Sequence, residues 1–408
     1  MTFDLAIEAV TQNVPANWKV EEFRRHATLV DEVNAGSNMP LLSLASTGVV
    51  SPRGEEGGMG KQIPSESTIE RYWIARPGDL VVNPMWLIGG GIGVSQITGA
   101  VSPDYRVYRL GPELFPPFIH HLLRSQSYRD QYRLYARAET TFDRRVSKQD
   151  FHPMPLLIPP LEEQRRIAQL LNIETARIDK LTQATGKSIA LLRERVTGII
   201  DTELSLTTQK IIPLKYLASL VDTEHKTAPH VPGGGYWIAG TSSVRGGHLV
   251  HDALYETDSE SYREWTRRRR PTPGDILLSR EAPVGEVAVY RPDDPRIAIG
   301  QRMVLVSPQH ADVRSEYLMW SLLSSDVRRF FDLTTQGSLH PHLNMRDIGS
   351  IPIRWCNLDR QDVTLRTISR AIERTRTLIA ARTAMQNLLA ERRQALITVA
   401  VTGQLDVP

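Results

Sequence analysis

The sequence holds a single cysteine, Cys356, in 408 residues. No intrachain disulfide can form, and zinc sites built on several cysteines are excluded. Such usage fits a reducing cytoplasm. No run approaches 18 apolar residues, so no segment is expected to span a membrane. The opening MTFDLAIEAV carries Asp4 and Glu8 with no basic stretch before an apolar core, unlike a signal peptide. Charge of one sign is also scarce: 49 Lys and Arg against 46 Asp and Glu leave +3. A chain this mildly basic can bind nucleic acid through a local face, but its total charge does not demand it. No Gly-x-x-x-x-Gly-Lys-Ser/Thr phosphate loop, Gly-x-Ser-x-Gly elbow or His-Glu-x-x-His pair is present, so ATP hydrolysis and the usual hydrolase centres are not expected on this chain.

What the sequence does have is a repeat. IPPLEEQRRIAQLL, from Ile158, is echoed by IPIRWCNLDRQDVTLRTI, from Ile351. An offset of 197 residues carries Leu161 onto Leu358, Gln164 onto Gln361, Leu171 onto Ile368 and Glu194-Arg195 onto Glu391-Arg392. Backward, it carries Asp150 onto Asp347, Pro155 onto Pro352 and Ser127 onto Ser324. One residue less carries Pro77-Gly78-Asp79 onto Pro273-Gly274-Asp275 and Lys19 onto Lys215. Each half reads as a mixed globular part followed by a long helix. Short β-rich runs such as GDLVVN, RVYRL, GDILLS and RMVLV, punctuated by Gly and Pro, make the globular parts.

Pro159-Pro160 and Glu162-Glu163 mark the start of the first long helix. Leu171, Ile178, Leu192 and Ile199 recur every seven residues, with Thr185 interrupting and Ile189 and Val196 alongside. The second copy carries Leu365, Ile368, Ile372, Ile379, Leu389 and Leu396, interrupted by Thr375 and Arg382. This spacing predicts two coiled-coil-like helices packed antiparallel. Gly186 and Gly198 weaken the first helix locally. The fold class expected is α+β: two pseudo-repeated mixed domains separated by two long antiparallel coiled-coil helices. The expected boundaries are 1–157, 158–206, 207–355 and 356–408.

PLLIPPLEEQRRIAQLLNIETARIDKL and its echo up to ERRQALITVAVTGQLDV resemble the specificity subunit of type I restriction–modification systems. VPANWKV, IIPLKYL, RPGDLVVN and TPGDILLS are similar to that family as well, so the likeness covers nearly the whole chain. The resemblance implies two target-recognition domains, each reading half of a split DNA site, and two helical spacers that dock two methyltransferase subunits. It also implies restriction (translocase/endonuclease) subunits as partners. Cofactors would belong to those partners: S-adenosylmethionine for N6-adenine methylation, ATP and Mg²⁺ for restriction. A helix from Glu162 to Glu203 would span roughly 63 Å, enough to serve separate faces of a duplex whose major groove repeats every ~34–36 Å. The second helix is more polar near its start, LDRQDVTLRTISRAIERT.

VVNPMWLIGGGIGV, residues 81 to 94, brings Asn83-Pro84 close to Trp86, near the Asn-Pro-Pro-aromatic clamp of DNA adenine methyltransferases. Met85 stands where the second proline belongs, the repeat puts Ser279 opposite Asn83, and the glycines lead into strand-like GVSQI rather than a helix. A loop against DNA, with Asn83 a base or phosphate partner, is the expectation. TTFDRRVSKQDF and GSLHPHLNMRDI precede the two helices, and in the family this segment faces DNA. Thr141, Arg144, Arg145 and Lys148, with Ser338, His340, His342, Asn344 and Arg346, are therefore the principal contact candidates. Thr47, Arg53, Ser243 and Arg245 in two earlier loops, and Arg280 beside the Asn83 equivalent, complete the set. The run Arg267 to Arg270 reads either as a solvated face or as phosphate contacts. No third ligand accompanies His340 and His342, so no metal site is expected. Two other readings remain: a coiled-coil adaptor that binds protein, and a stand-alone methyltransferase.

Overall fold

The computed structural model describes residues 14–36, 39–53, 65–135, 145–223, 226–335 and 341–405. The chain divides into two compact units, one formed by Met1–Gly186 with Ala384–Pro408, the other by Lys187–Thr383.

In the first unit the chain runs β1 (Lys19–Glu22), a 3-10 turn (Phe23–Arg25), β2 (Ala27–Leu29), β3 (Leu42–Leu44), β4 (Val50–Pro52), α1 (Glu66–Ile69) and β5 (Trp73–Ala75). It continues through β6 (Leu80–Val82), β7 (Ile92–Val94), β8 (Gly99–Val101), β9 (Arg106–Leu110), α2 (Pro116–Leu122), α3 (Gln126–Tyr135), α4 (Lys148–Phe151) and β10 (Pro155–Ile158). Then α5 (Leu161–Thr207) begins. A four-stranded sheet has the order β2-β9-β6-β7, with smaller pairs β3-β4, β5-β8 and β1-β10. The strands are apolar on both faces: Leu80, Val81 and Val82 are all fully buried. One face meets Phe118, Ile119 and Leu122 of α2, and the other meets Val30, Leu42 and Val101.

The second unit repeats the plan with β11 (Lys210–Pro213), a 3-10 turn (Leu214–Tyr216), β12 (Ala218–Asp222), β13 (Tyr236–Ala239), β14 (Val244–Arg245), β15 (His248–Leu249) and β16 (Tyr255–Thr257). Next come α6 (Ser259–Trp265), β17 (Ile276–Ser279), β18 (Val287–Val289), β19 (Ile297–Ile299), β20 (Met303–Pro308), α7 (Ser315–Leu322), α8 (Ser325–Thr335), α9 (Met345–Gly349), β21 (Pro352–Trp355) and α10 (Leu358–Val401). Its main sheet, β12-β20-β17-β18, matches the first strand for strand, and β11-β21 matches β1-β10.

The repeat holds atom by atom at its most constrained contacts. Gln164 accepts from Phe115 N at 2.7 Å and donates to the carbonyls of Glu113 and Pro159, both at 2.9 Å. Gln361 accepts from Arg314 N at 2.9 Å and donates to the carbonyls of Asp312 and Cys356 at 2.8 and 2.7 Å. Both glutamines are wholly buried. Each staples the first turn of its long helix to the loop that precedes α2 or α7. The Pro-Gly-Asp turns are likewise the same device. Gly78 (φ +92°) and Gly274 (φ +95°) take the left-handed conformation, and the aspartates cap the turn. Asp79 accepts from Arg76 N at 2.9 Å and Asp275 from Thr272 N at 2.7 Å. Ser147 caps α4 through Asp150 N, and Asn344 caps α9 through Asp347 N.

Two sequence matches shift. Lys19 pairs with Ile158 and Lys210 with Trp355, so the partner of Lys19 in the repeat is Lys210, not Lys215. Likewise α8 starts after Ser324 as α3 starts after Ser125, which displaces Ser127 from the match. Loops of unequal length between strands account for both.

The long helices follow the heptad expectation with an adjustment. In the first unit Ile167, Ala168 and Leu171 of α5 share a core with Ile397, Ala400 and Val401 of α10. Farther along, Asp179 pairs with Arg393 at 3.3 Å, and Gln386 donates to Thr182 O at 3.4 Å, so the strips run antiparallel. In the second unit Ile200 and Leu204 pack with Ile368, and Thr364 meets Thr207 at 3.0 Å, again antiparallel. Ile178 and Leu389 are buried as expected, but Leu192, Ile199, Leu365, Ile372, Ile379 and Leu396 are only half-buried. Ile200, Leu204, Ile368 and Ile397 take the centre of the seam. A helix near 3.6 residues per turn drifts about 20° per heptad against a strict 3.5 repeat, which moves burial one residue onward. The interrupting Thr185 and Thr375 are buried too, as is Thr175. Thr175, Thr185 and Thr375 satisfy their hydroxyls on the carbonyl four residues back, at 2.6, 2.8 and 2.9 Å.

Candidate nucleic-acid interface

The turn that follows β6 and the loop that enters α4 meet through their backbones. Asn83 N donates to Gly91 O at 2.7 Å and closes the turn; Val146 N donates to Pro84 O at 3.1 Å and docks the loop on it. The second unit repeats both contacts. Ser279 N donates to Glu286 O at 2.8 Å, and Leu343 N to Arg280 O at 2.8 Å. Val146 and Leu343 are fully buried anchors. The sequence candidates beside them are therefore held together: Asn83 with Arg145 and Lys148, and Arg280 with His342, Asn344 and Arg346. Arg145, Lys148, His342, Asn344 and Arg346 are exposed.

Sequence reading missed Arg106, at the start of β9. It lies under the loop, donating to Val146 O at 3.1 Å, while a second guanidinium N–H is buried without a partner. Burial, and then the nearby positive charge of Arg145, lower its pKa. An arginine that has lost water and retains a spare donor is prepared for an anionic oxygen. Arg280 has a buried, unpartnered Nε beside the equivalent loop. His152 adds to the patch: burial lowers its pKa, followed by the positive charges of Lys148, Arg106 and Arg24, three cationic side chains near one imidazole. In the second unit Lys215, in the 3-10 turn, packs against Gly349 of α9 beside Arg346. Alternation along RVYRL was the available signal for Arg106, but it points equally to any half-buried strand residue.

The glycines of the opening stretch serve packing. A Cβ on Gly93 would stand 1.9 Å from Gly48 O, so the β3–β4 turn lies directly on β7. Gly90 has φ +91°. Arg124 locks the arrangement by donating to Gly90 O, Ile92 O and Ser46 O at 2.6, 2.9 and 3.1 Å. Burial pushes its guanidinium down to about 10. No strand–glycine–helix cradle forms here, since β7 follows the glycines directly. Thr47, beside Gly48, is exposed at this turn. Gly247, which donates to Val287 O at 2.9 Å, occupies the corresponding place in the second unit, next to exposed Arg245.

Four candidates, Thr141, Arg144, Ser338 and His340, lie outside the described residues. Ser243 must be withdrawn as a contact. It is fully buried, accepts from Gly240 N at 3.2 Å and donates to Ala253 O at 2.8 Å, so its hydroxyl holds a turn. Asn344 spends its side-chain oxygen on the α9 cap, leaving its amide N–H groups to face outward. The arginine run is engaged within its own unit. Arg268 bonds Asp222, Arg269 reaches Asp275 at 3.2 Å, and Arg270 lies 5.7 Å from the Tyr262 ring centroid. Among the described residues no cluster of three His, Cys, Asp or Glu could hold a metal ion, and no helix is long and apolar enough to cross a membrane.

Two α+β domains of one design, each ending in a long helix that packs antiparallel on the other, define a recognisable class. Solved structures share the architecture along nearly its whole length. A chain of a type I R-M system, solved in work on complex assembly and conformational transition, aligns with a TM-score of 0.75 over 96% of this chain and 100% of its own, at 17% identity. The HsdS subunit from Thermoanaerobacter tengcongensis aligns with a TM-score of 0.50 over 96% and 98%, also at 17% identity. What is shared at that identity is the fold. No family model and no curated protein matches the sequence.

Proposed function

We propose that this chain is the DNA-specificity subunit of a type I restriction–modification complex, reading one half of a split site with each globular domain. The observation that carries the reading is the duplicated loop-on-turn face: Val146 on Pro84 and Leu343 on Arg280, each ringed by cationic side chains, within a fold shared end to end with a solved HsdS subunit. Arg106, Arg145, Lys148, Arg280 and Arg346 supply phosphate or base-edge donors. Phosphate contacts position the domains, and donors at the groove floor select bases. The paired helices hold two methyltransferase subunits, and restriction subunits join them. Catalysis then rests with those partners in the cytoplasm, which bring S-adenosylmethionine, ATP and Mg²⁺; this chain contributes no cofactor site and no catalytic group.

The test is co-expression with a type I methyltransferase subunit, followed by methylation sequencing of the host DNA. A split motif with a fixed gap, methylated on both strands and altered in one half when residues 1–155 are exchanged, is the expected result. A stable complex with no modified motif would overturn the reading in favour of a protein-binding adaptor. Methylation by the isolated chain would overturn it in favour of a methyltransferase.

A further inference from the structure

A cavity of about 290 Å³ opens in the first unit beside the Asn83–Gly91 turn. Its walls include Arg53, Tyr72, Asn83, Met85, Trp86 and Tyr105. We propose that this cavity receives one nucleobase turned out of the DNA stack, with Trp86 as its stacking platform. The proposal rests on the DNA-reading function above and names a step within it.

Trp86 is 64% exposed and Met85 50% exposed, yet neither is loose. Asn83 Oδ1 accepts from Met85 N at 3.2 Å, and Asn83 O accepts from Trp86 N at 3.0 Å. Trp86 O accepts from Gly91 N at 2.8 Å. A Cβ on Gly91 would lie 2.9 Å from both Trp86 O and Trp86 Cβ, and one on Gly89 would lie 3.1 Å from the indole ring. The glycines thus let the chain close tightly under the tryptophan. A rigid indole left in water is preorganised to stack, since little side-chain entropy remains to be lost on binding. Apolar wedges of this kind part base steps in other DNA-binding proteins.

The polar side of the cavity suits a base edge. Tyr105 lines the cavity beside Asn83, and burial raises its pKa, so its hydroxyl stays protonated and can donate to a ligand. Arg53 brings guanidinium donors, and Asp104 brings an acceptor. Asn83 is a positioning residue here: its Oδ1 is spent on Met85 N within its own turn. The volume sits just under the ~300 Å³ at which ordinary small-molecule sites begin, which fits a single ring system. The second unit has no such platform. The positions matching Met85 and Trp86 are Glu281 and Ala282, and Glu281 is ion-paired with Arg302 at 3.0 Å. Only the first half-site is therefore expected to place a base against this chain itself, apart from the bases that the methyltransferase subunits take out for methylation.

The experiment uses the full chain with its methyltransferase partner, on duplexes carrying the methylated target. Each base in turn is given an abasic partner, which removes the cost of unpairing it. At one position in the half-site of the first domain, other than the bases that are methylated, binding tightens about tenfold or more. Trp86→Ala weakens binding to the intact duplex by roughly 5- to 150-fold, the range of one lost base–aromatic stack, and abolishes the abasic gain. Trp86→Phe restores both. Intact duplex binding with no Trp86-dependent tightening at any position other than the methylated bases overturns the proposal and leaves the DNA-reading function standing. Failure to bind any duplex overturns both.

Discussion

Gln164→Met is the sharpest test of how each long helix is joined to its domain. Methionine keeps the length and volume of glutamine but neither donates nor accepts well, so the change isolates hydrogen bonding from packing. It strands Phe115 N–H and the carbonyls of Glu113 and Pro159, all three now served by a side chain with no exposure to water. A typical net contribution of ~0.5–1.5 kcal/mol per bond gives about 1.5–4.5 kcal/mol for the three. Gln361→Met should cost the same, because its three bonds run to equivalent atoms. Urea unfolding followed by circular dichroism gives the loss, read unit by unit because a chain of two units need not unfold in one step. Amide exchange adds the local readout: Phe115 N–H, or Arg314 N–H for Gln361→Met, should exchange faster while amides of β6 and β17 keep their protection. A loss below about 0.5 kcal/mol in both variants would refute the staple.

Other outcomes follow from the same contacts. Burial holds the His120 pKa down at about 3, with His121, Arg124 and Arg393 adding to it, and its Nδ1 accepts from Val94 N at 3.3 Å. The unfolded chain therefore binds the proton more readily, so this stability is present above the ordinary value of 6.5 and is lost as pH falls. The first unit should lose up to about 2 kcal/mol between pH 7 and pH 5, and urea midpoints for His120→Asn should flatten over that range. Gly93→Ala should destabilise by about 1–3 kcal/mol or more, since the new methyl meets the Gly48 carbonyl. Gly198→Ala, on an open helix face, should instead stabilise by up to about 1 kcal/mol, and thermal melts distinguish the two signs. Arg145→Ala or Arg346→Ala should weaken DNA binding and reduce the slope of log affinity against log salt by about 0.9 each; an unchanged slope would remove that residue from the phosphate contacts.

The repeat was legible because its most constrained positions leave little choice of residue. Gln164 and Gln361 must both donate and accept in a dry pocket, and Gly78 and Gly274 must take positive φ. The helical seam was legible as a period, but not to the residue: the difference between 3.5 and 3.6 residues per turn decides whether Ile199 or Ile200 is covered. Contact candidates were harder to read. Ser243 looks like any loop serine until its turn closes around it, and Arg106 looks like any strand residue until the loop at Val146 descends over it. The four arginines from Arg267 were ambiguous in sequence, because their partners Asp222 and Asp275 are brought to them only by β12 and β17.

The first unit is discontinuous, and that orders events on the ribosome. Its core needs Ile397, Ala400 and Val401 against Ile167 and Leu171, and Gly403 lies against Pro15 and Trp18. The second unit, residues 187–383, is contiguous and is finished while those closing residues are still unmade. At ~5–20 residues per second, the earlier part of the first unit waits roughly 10–40 s for its last helical turns. Throughout that interval the apolar strip at Ile167 to Leu171 lacks its cover, so a nascent chain stalled before Ala384 is the form most exposed to chaperones, to proteases and to premature association with another copy.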